Sequence, residues 1–282
     1  MPDSTWEVAE PTKLTFDEPV TSLSVRIVNG TVNIVGTDES SARLEVSEID
    51  GPPLTVTRTG AAILVAYTDP PWTGLLKLLD RKERQRHAVV SLAVPAGASV
   101  EVGAVGAAAV VSGIRGRTNV RGVTGDTTLV GLSGTVRAET VTGSLEAQAV
   151  TGDLRLHSVS GDLTVIEGAG SSVRADSVSG DMAIDIDGTP TDLRLTSVSG
   201  QVAVRLPDPA DARVEANTTS GAVSNAFEDL RVSGRWGAKK ITGTLGTGSG
   251  SLHATTVSGS IALLRRPPRA DEPYEDETGK VL

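Results

Sequence analysis

A glycine returns every nine residues through the middle of this chain. Gly125, Gly134, Gly143, Gly152 and Gly161 keep that interval, and Gly180 and Gly200 follow at about twice it. Most of them close a Val-Thr/Ser-Gly tripeptide. A fixed period of this kind marks a stacked architecture, in which each unit hides its apolar side only by lying against the next.

Taking alternate units separates two families. One contains GDTTLVGL, GSLEAQAV, GDLTVIEG, GDMAIDID and GQVAVRLP; the other contains GTVRAETV, GDLRLHSV, SSVRADSV, TDLRLTSV and, with a slip, RVEANTTS. The structural unit is therefore a coil of about 18 to 21 residues with two strands and two turns. Strand side chains alternate between faces, so Val136/Ala138, Leu154/Leu156, Val173/Ala175, Leu193/Leu195 and Val214/Ala216 point inward, followed by Val141, Val159, Val178 and Val198 entering the turn. Leu145/Ala147, Leu163/Val165, Met182/Ile184 and Val202/Val204 face them. At the turns, Gly125, Gly143, Gly152, Gly161, Gly180 and Gly200 either take a positive φ or let neighbouring coils approach closely. The fold predicted is an all-β, parallel β-solenoid-like stack of two-strand coils with a hairpin-rich N-terminal portion.

Composition agrees with a thin object. With aromatic residues at 2%, a core must be built from Val, Leu, Ile and Ala, which suits two close layers. The absence of cysteine removes disulfides, thiolate catalysis and Cys-bound zinc, and fits a reducing compartment. A net charge of −9 argues against a nucleic-acid partner, which needs a clustered basic surface. The opening MPDSTWEVAEPTKLTF has no apolar run and nothing approaches a membrane span, so a cytoplasmic protein is expected, with surface association left open.

Along the chain, residues 1–20 read as a loose lead-in broken by Pro2, Pro11 and Pro19. Residues 21–109 form an N-terminal β portion, where LSVRIVNGTVNIVG alternates and Asn29-Gly30 signals a hairpin. An excursion at 69–87 interrupts it. There Trp72, Leu75, Leu76 and Leu79 precede Arg81 and Lys82, either packing on the sheet or forming a partner or peripheral membrane-surface patch. The β-strand repeat occupies 110–264, and 265–282 reads as a disordered acidic tail.

The outward columns are where chemistry could sit. Arg137, Arg155, Arg174 and Arg194 occupy equivalent positions, with Glu139, His157, Asp176 and Thr196 two residues further on. Stacked at about 4.8 Å, the guanidiniums form a ladder. Either lateral carboxylates neutralise it, or it is an anion-binding stripe for a polyanionic polymer or an acidic protein partner. The turn acids Asp126, Asp162 and Asp181 read as caps rather than calcium ligands, because Ser144 and Gln201 interrupt their column. His87, His157 and His253 lack metal-ligand spacing, and no cofactor fingerprint is present.

The serial VTGD, VSGD and VSGQ turns, the opening LSVRIVNGTVNIVG and the closing LHATTVSGSIALL resemble the bacterial putative-adhesin family of β-strand-repeat proteins, a domain-of-unknown-function group related to toastrack domains. The resemblance covers residues 20–264. It implies a β-solenoid-like domain, associated with cell-surface adhesion or envelope-stress systems, and no catalytic residues. The function expected is a non-enzymatic binding or scaffolding module. A structural element joined end to end and a polysaccharide-cleaving β-helix enzyme are the alternatives; the enzyme would need a carboxylate cluster on the coils, which the sequence does not show.

Overall fold

The computed structural model of the chain describes residues 4–67, 86–188, 191–235 and 237–266, where all regular elements are β-strands. The N-terminal part holds β1 (Ser4–Val8), β2 (Thr12–Phe16), β3 (Ser22–Ile27), β4 (Asn29–Thr37), β5 (Ala42–Asp50), β6 (Leu54–Thr59), β7 (Ala62–Tyr67) and β8 (His87–Pro95). The middle runs through β9 (Ser99–Ala104), β10 (Ala108–Ser112), β11 (Thr118–Gly122), β12 (Thr127–Val130), β13 (Val136–Thr140), β14 (Leu145–Gln148), β15 (Leu154–Ser158), β16 (Leu163–Gly168), β17 (Ser172–Ser179), β18 (Met182–Ile186), β19 (Asp192–Ser199) and β20 (Val202–Leu206). The end comprises β21 (Ala212–Thr218), β22 (Val223–Asn225), β23 (Arg231–Arg235), β24 (Ala238–Leu245), β25 (Gly250–Thr256) and β26 (Ile261–Arg265).

From β9 to β20 successive strands alternate between a fourteen-stranded and a twelve-stranded sheet, and each pairs in parallel with the strand one coil away. Thr118 lies beside Val136 and Val136 beside Leu154, a coil of 18 residues; Leu154 to Val173 takes 19 and Val173 to Leu193 takes 20. The 19-residue step coincides with a bulge between Val165 and Gly168, where Glu167 has φ 54°. The predicted inward pairs are buried: Val136, Ala138, Leu154 and Leu156 meet Leu145, Ala147, Leu163 and Val165 across one continuous core.

The turns are built differently from the sequence expectation. Val141, Val159, Val178 and Val198 do not enter the core; they are 40–47% exposed. The inward position is taken instead by the residue before each: Thr140, Ser158, Ser177 and Ser197 are buried. At three of the four sites a bond to the turn compensates the buried hydroxyl: the amide of Gly143 donates to Thr140 Oγ1 (3.1 Å), that of Gly161 donates to Ser158 Oγ (2.8 Å), and Ser197 Oγ donates to the Ser199 carbonyl (2.9 Å), while Ser177 Oγ has no partner among the described residues. The next hydroxyl ties coils together. Thr142, Ser160 and Ser179 donate to the carbonyls of Val123, Val141 and Val159 in the preceding coil. The turn acids also bridge coils, since Asp126, Asp162 and Asp181 accept from the amides of Ser144, Asp181 and Gln201. Close approach, rather than φ, explains most of the glycines: a Cβ on Gly161 would lie 2.0 Å from the Gly143 carbonyl oxygen. Gly180 and Gly200 add a positive φ.

At both ends the chain order departs from the stacking order. β7 and β8 lie parallel to β3 and β4; β6 and β5 pair antiparallel outside them, and β1 and β2 are outermost. The first residues are therefore not a loose lead-in. Pro11 and Pro19 sit between strands, while Val8 and Phe16 are buried and Trp6 meets Phe16 edge-on at 5.5 Å. Nor does Asn29-Gly30 close a hairpin, because β3 and β4 belong to different sheets. Gly30, at φ 113°, turns the corner where a Cβ would strike the Ala88 backbone. The 69–87 excursion, with Trp72, Leu75, Leu76, Leu79, Arg81 and Lys82, lies outside the described residues except for Arg86 and His87, the latter opening β8.

At the C-terminal end, Leu193 does not neighbour Val214. β25 lies between β19 and β21, and β26 between β20 and β22, so the last rung is wedged between two that precede it in sequence. Both its ends are fastened. The Asp211 carboxylate, ahead of β21, accepts from Thr247 Oγ1, from the amides of Gly248 and Ser249 and from Ser249 Oγ, all leading into β25. Arg266, after β26, pairs with Asp185 at 2.7 Å and Asp187 at 2.6 Å on the β18 side. Arg265 and Arg266 thus belong to the fold, and the rest of the 265–282 segment lies outside the described residues.

Ser249, foremost, with Thr247 and Gly248 holds the Asp211 carboxyl down to about 2, from an ordinary 3.8. A depressed folded-state value stabilises above the unfolded value and loses that stabilisation as pH falls toward the folded one. Stability should therefore fall between about pH 4 and pH 2, and Asp211→Asn should flatten that part of the curve, read as Tm against pH. The same slope in parent and variant would assign the acid sensitivity elsewhere.

Candidate functional site

The alternation that buries Ala138 and Leu156 turns their neighbours outward, and parallel register turns equivalent positions into columns. Arg137, Arg155, Arg174 and Arg194 stand side by side on β13, β15, β17 and β19, as the coil spacing predicts. Glu139, His157, Asp176 and Thr196 form the adjacent column. Together they line an open depression with Arg137, Glu139, Arg155, His157, Arg174 and Asp176 around it.

Neutralisation runs along the strands more than between them. Arg137 Nε donates to Glu139 (2.7 Å) and Arg174 Nε to Asp176 (2.8 Å), each a pair two residues apart on one strand. Laterally, Glu139 is also reached by Arg121 from β11 at 3.6 Å. On β15 and β19 the acid is replaced by His157 and Thr196, and Arg155 and Arg194 pair with no carboxylate among the described residues. Paired and unpaired guanidiniums thus alternate along the column. The paired ones are about half exposed, so solvent screens each pair and it contributes little to stability.

Sequence reasoning missed how the column continues. Upstream it passes through Asn119 and Glu101 on β11 and β9. Downstream the next member is His253 on β25, then Glu215 on β21, because the wedged rung intervenes. Glu215 is held below its ordinary value by its hydrogen bond and charge contact with Lys240. No local signal gives that order, since the turn before β26 repeats the tripeptide of the others.

The outer face of the twelve-stranded sheet is chemically different. Val110, Thr128, Glu146, Thr164, Ala183 and Ala203 share a column with a single charge. That charge is Glu146, and a separate charged cluster surrounds Asp185 on β18. Burial pushes the Asp185 carboxyl up, but bonds from Arg205 and Arg266 outweigh burial and hold it below its ordinary value. A further feature that sequence reading inverted is the edge line of exposed Val141, Val159, Val178, Val198 and Val257. The predicted turn glycines Gly125, Gly143, Gly152, Gly161, Gly180 and Gly200 lie on the two edges of the stack, away from the Arg column.

Among the described residues no three His, Asp or Glu side chains gather as a metal site would need, and no helix is long and apolar enough to cross a membrane. The three histidines stand apart on β8, β15 and β25.

The family model described as Toastrack DUF4097 matches residues 112–264. No curated protein matches the chain. Among solved structures, a putative lipid binding protein from Parabacteroides distasonis is similar at 10% identity, covering 92% of this chain and 98% of that one with a TM-score of 0.47. A putative adhesin from the same organism shares 12% identity over 90% and 97% of the two chains, TM-score 0.42. A putative cell adhesion protein from Clostridium sporogenes shares 13% identity over 91% and 100%, TM-score 0.29.

Proposed function

The chain belongs to the Toastrack DUF4097 family, and on that premise we propose that it is a non-enzymatic binding module whose Arg137–Arg194 column engages an elongated anionic polymer. The observation that carries this reading is the alternation of compensated and uncompensated guanidiniums. A purely structural column would have an acid beside each Arg, whereas Arg155 and Arg194, beside His157 and Thr196, pair with none among the described residues. Successive unpaired arginines are two rungs apart, about 9.6 Å, so a polymer lying across the strands meets them in series. Arg137 and Arg174 supply further donors at the rungs between and beyond.

Contacts at so exposed a face are screened by salt, so affinity should fall steeply with ionic strength. Changing Arg155, Arg174 and Arg194 together to Gln is expected to weaken heparin, used as the probe polymer, by about tenfold or more at low salt. The circular dichroism melt should stay within about 2 °C of the parent, because the substituted side chains are exposed. Heparin binding of equal strength in the triple variant would overturn the assignment.

A further inference from the structure

The fourteen-stranded sheet continues two strands past the end of its partner. The twelve-stranded sheet stops at β22, while β24 and then β23 extend the other sheet beyond it. β24 still buries Ile241 and Leu245. β23 buries nothing: all five of its residues, Arg231 to Arg235, are exposed, and Val232 is 54% exposed. Among the described residues it pairs on one side only, with β24. The other terminal strands are accounted for by the core, through Val8 on β1, Phe16 on β2 and Val223 on β22. β23 is not.

Its charge is also unbalanced. Arg231 and Arg235 on β23 and Lys239 on β24 pair with no carboxylate among the described residues, although Glu228 and Asp229 are close by in sequence. Lys240, by contrast, is matched by Glu215 at 2.7 Å. Arg231, Ser233 and Arg235 share the outer side of the strand, because Ser233 lies opposite Lys240 while Val232 lies opposite the buried Ile241. A depression beside them is lined by Asn217, Thr219, Ser233, Arg235 and Lys239.

We propose that β23 is a strand-addition site for an extended acidic peptide with a carboxylate at every second residue. The free edge presents unpaired N–H and C=O groups for ladder bonds. A ligand strand laid along it places alternate side chains over the outer side, beside Arg231 and Arg235. Two cations four residues apart on one side select acids of the same parity, and the neutral edge positions, Val232 and Gly234, accept small apolar residues between them. Charges on an edge also discourage other strands, but cations repel only cationic strands and penalise neutral ones through desolvation, which leaves an acidic one favoured.

The test titrates the full chain with the acetylated, amidated hexapeptide Val-Glu-Val-Glu-Val-Glu and its Gln counterpart. The acidic peptide should bind about tenfold more tightly than the Gln peptide. Arg231→Gln with Arg235→Gln should remove that preference, whereas the Arg155, Arg174 and Arg194 substitutions should not, which separates this site from the polymer-binding column. Hydrogen exchange in residues 231–235 should slow when the peptide is saturating. Binding without that protection, or binding indifferent to the double substitution, would overturn strand addition. So would protection that depends on protein concentration in the absence of peptide, since a second copy would then be the occupant.

Discussion

Gly161→Val is expected to lower stability by at least about 3 kcal/mol, a loss of roughly 6 °C or more in Tm. The reason is distance. A Cβ at that position would sit 2.0 Å from the Gly143 oxygen and 2.6 Å from its carbonyl carbon, and both obstacles are backbone. Coils separated by about 4.8 Å have no slack to yield. Moving apart stretches the Leu145 to Asp162 amide bond (2.9 Å) and the inter-coil hydroxyl bond from Ser160 to Val141 (3.2 Å). In a stack where each coil touches only its neighbours, a break there divides the molecule rather than loosening one loop. Gly97→Ala is the control: no atom lies within 4 Å of its Cβ position, so the change should stay within about 0.5 kcal/mol. Equal denaturation midpoints for Gly161→Val and the parent would remove the close-packed glycine edge as the frame of the fold.

That edge also marks what the sequence made legible. Coil length and strand phase follow from local periodicity, so the register of Arg137, Arg155, Arg174 and Arg194 could be read from spacing alone. Direction within the turn could not. Val141 and Val159 look like core residues by type, and Thr140 and Ser158 look like surface ones. The turn reverses them because a buried hydroxyl that bonds Gly143 or Gly161 costs little. Nor does periodicity carry rung order. Val198-Ser199-Gly200 and Val257-Ser258-Gly259 are the same tripeptide, so Leu193 could as well stack on Val214 as on Leu252; the choice is made by contacts distant in sequence. Asn29-Gly30 failed for a related reason. A positive-φ glycine suits any sharp corner, and whether the corner joins two strands of one sheet or passes between sheets depends on β8 arriving from beyond residue 86.

The two faces follow from the same alternation but differ in what solvent asks of them. On the fourteen-stranded sheet, acids stand beside Arg137 and Arg174 and not beside Arg155 or Arg194. On the twelve-stranded sheet, the outward column through Thr128, Thr164 and Ala183 leaves little charge to organise. Both proposed sites thus lie along the sheet that ends in the overhanging β23. Arg194 leads through His253, Glu215 and Thr242 to Arg231 in a single line of neighbours, and Glu215, bound to Lys240, divides that line in two.

A chain ending at Ser249 should lose cooperative unfolding, and a separate peptide spanning residues 250–266 should restore it. The missing rung contributes Leu252, Ile261 and Leu263, all buried to within 1% exposure. At about 1.5–3 kcal/mol for each large apolar side chain, their loss approaches the 5–15 kcal/mol that holds a typical domain together. Truncation would also open β19 and β21, and β20 and β26's other neighbour β22, to solvent as facing edges with unpaired ladder groups. Rescue in trans is expected because both walls of the gap precede the rung in sequence, and because its anchors are side chains the shortened chain retains: Asp185 and Asp187 for Arg266. The glycine edge requires the same order, since Gly259 packs on the Gly200 carbonyl and Gly221 on that of Gly259. A scrambled peptide should give no recovery in a denaturant melt followed by circular dichroism. If the shortened chain instead melts as the parent does, the wedge is dispensable and the stack closes directly from β19 to β21.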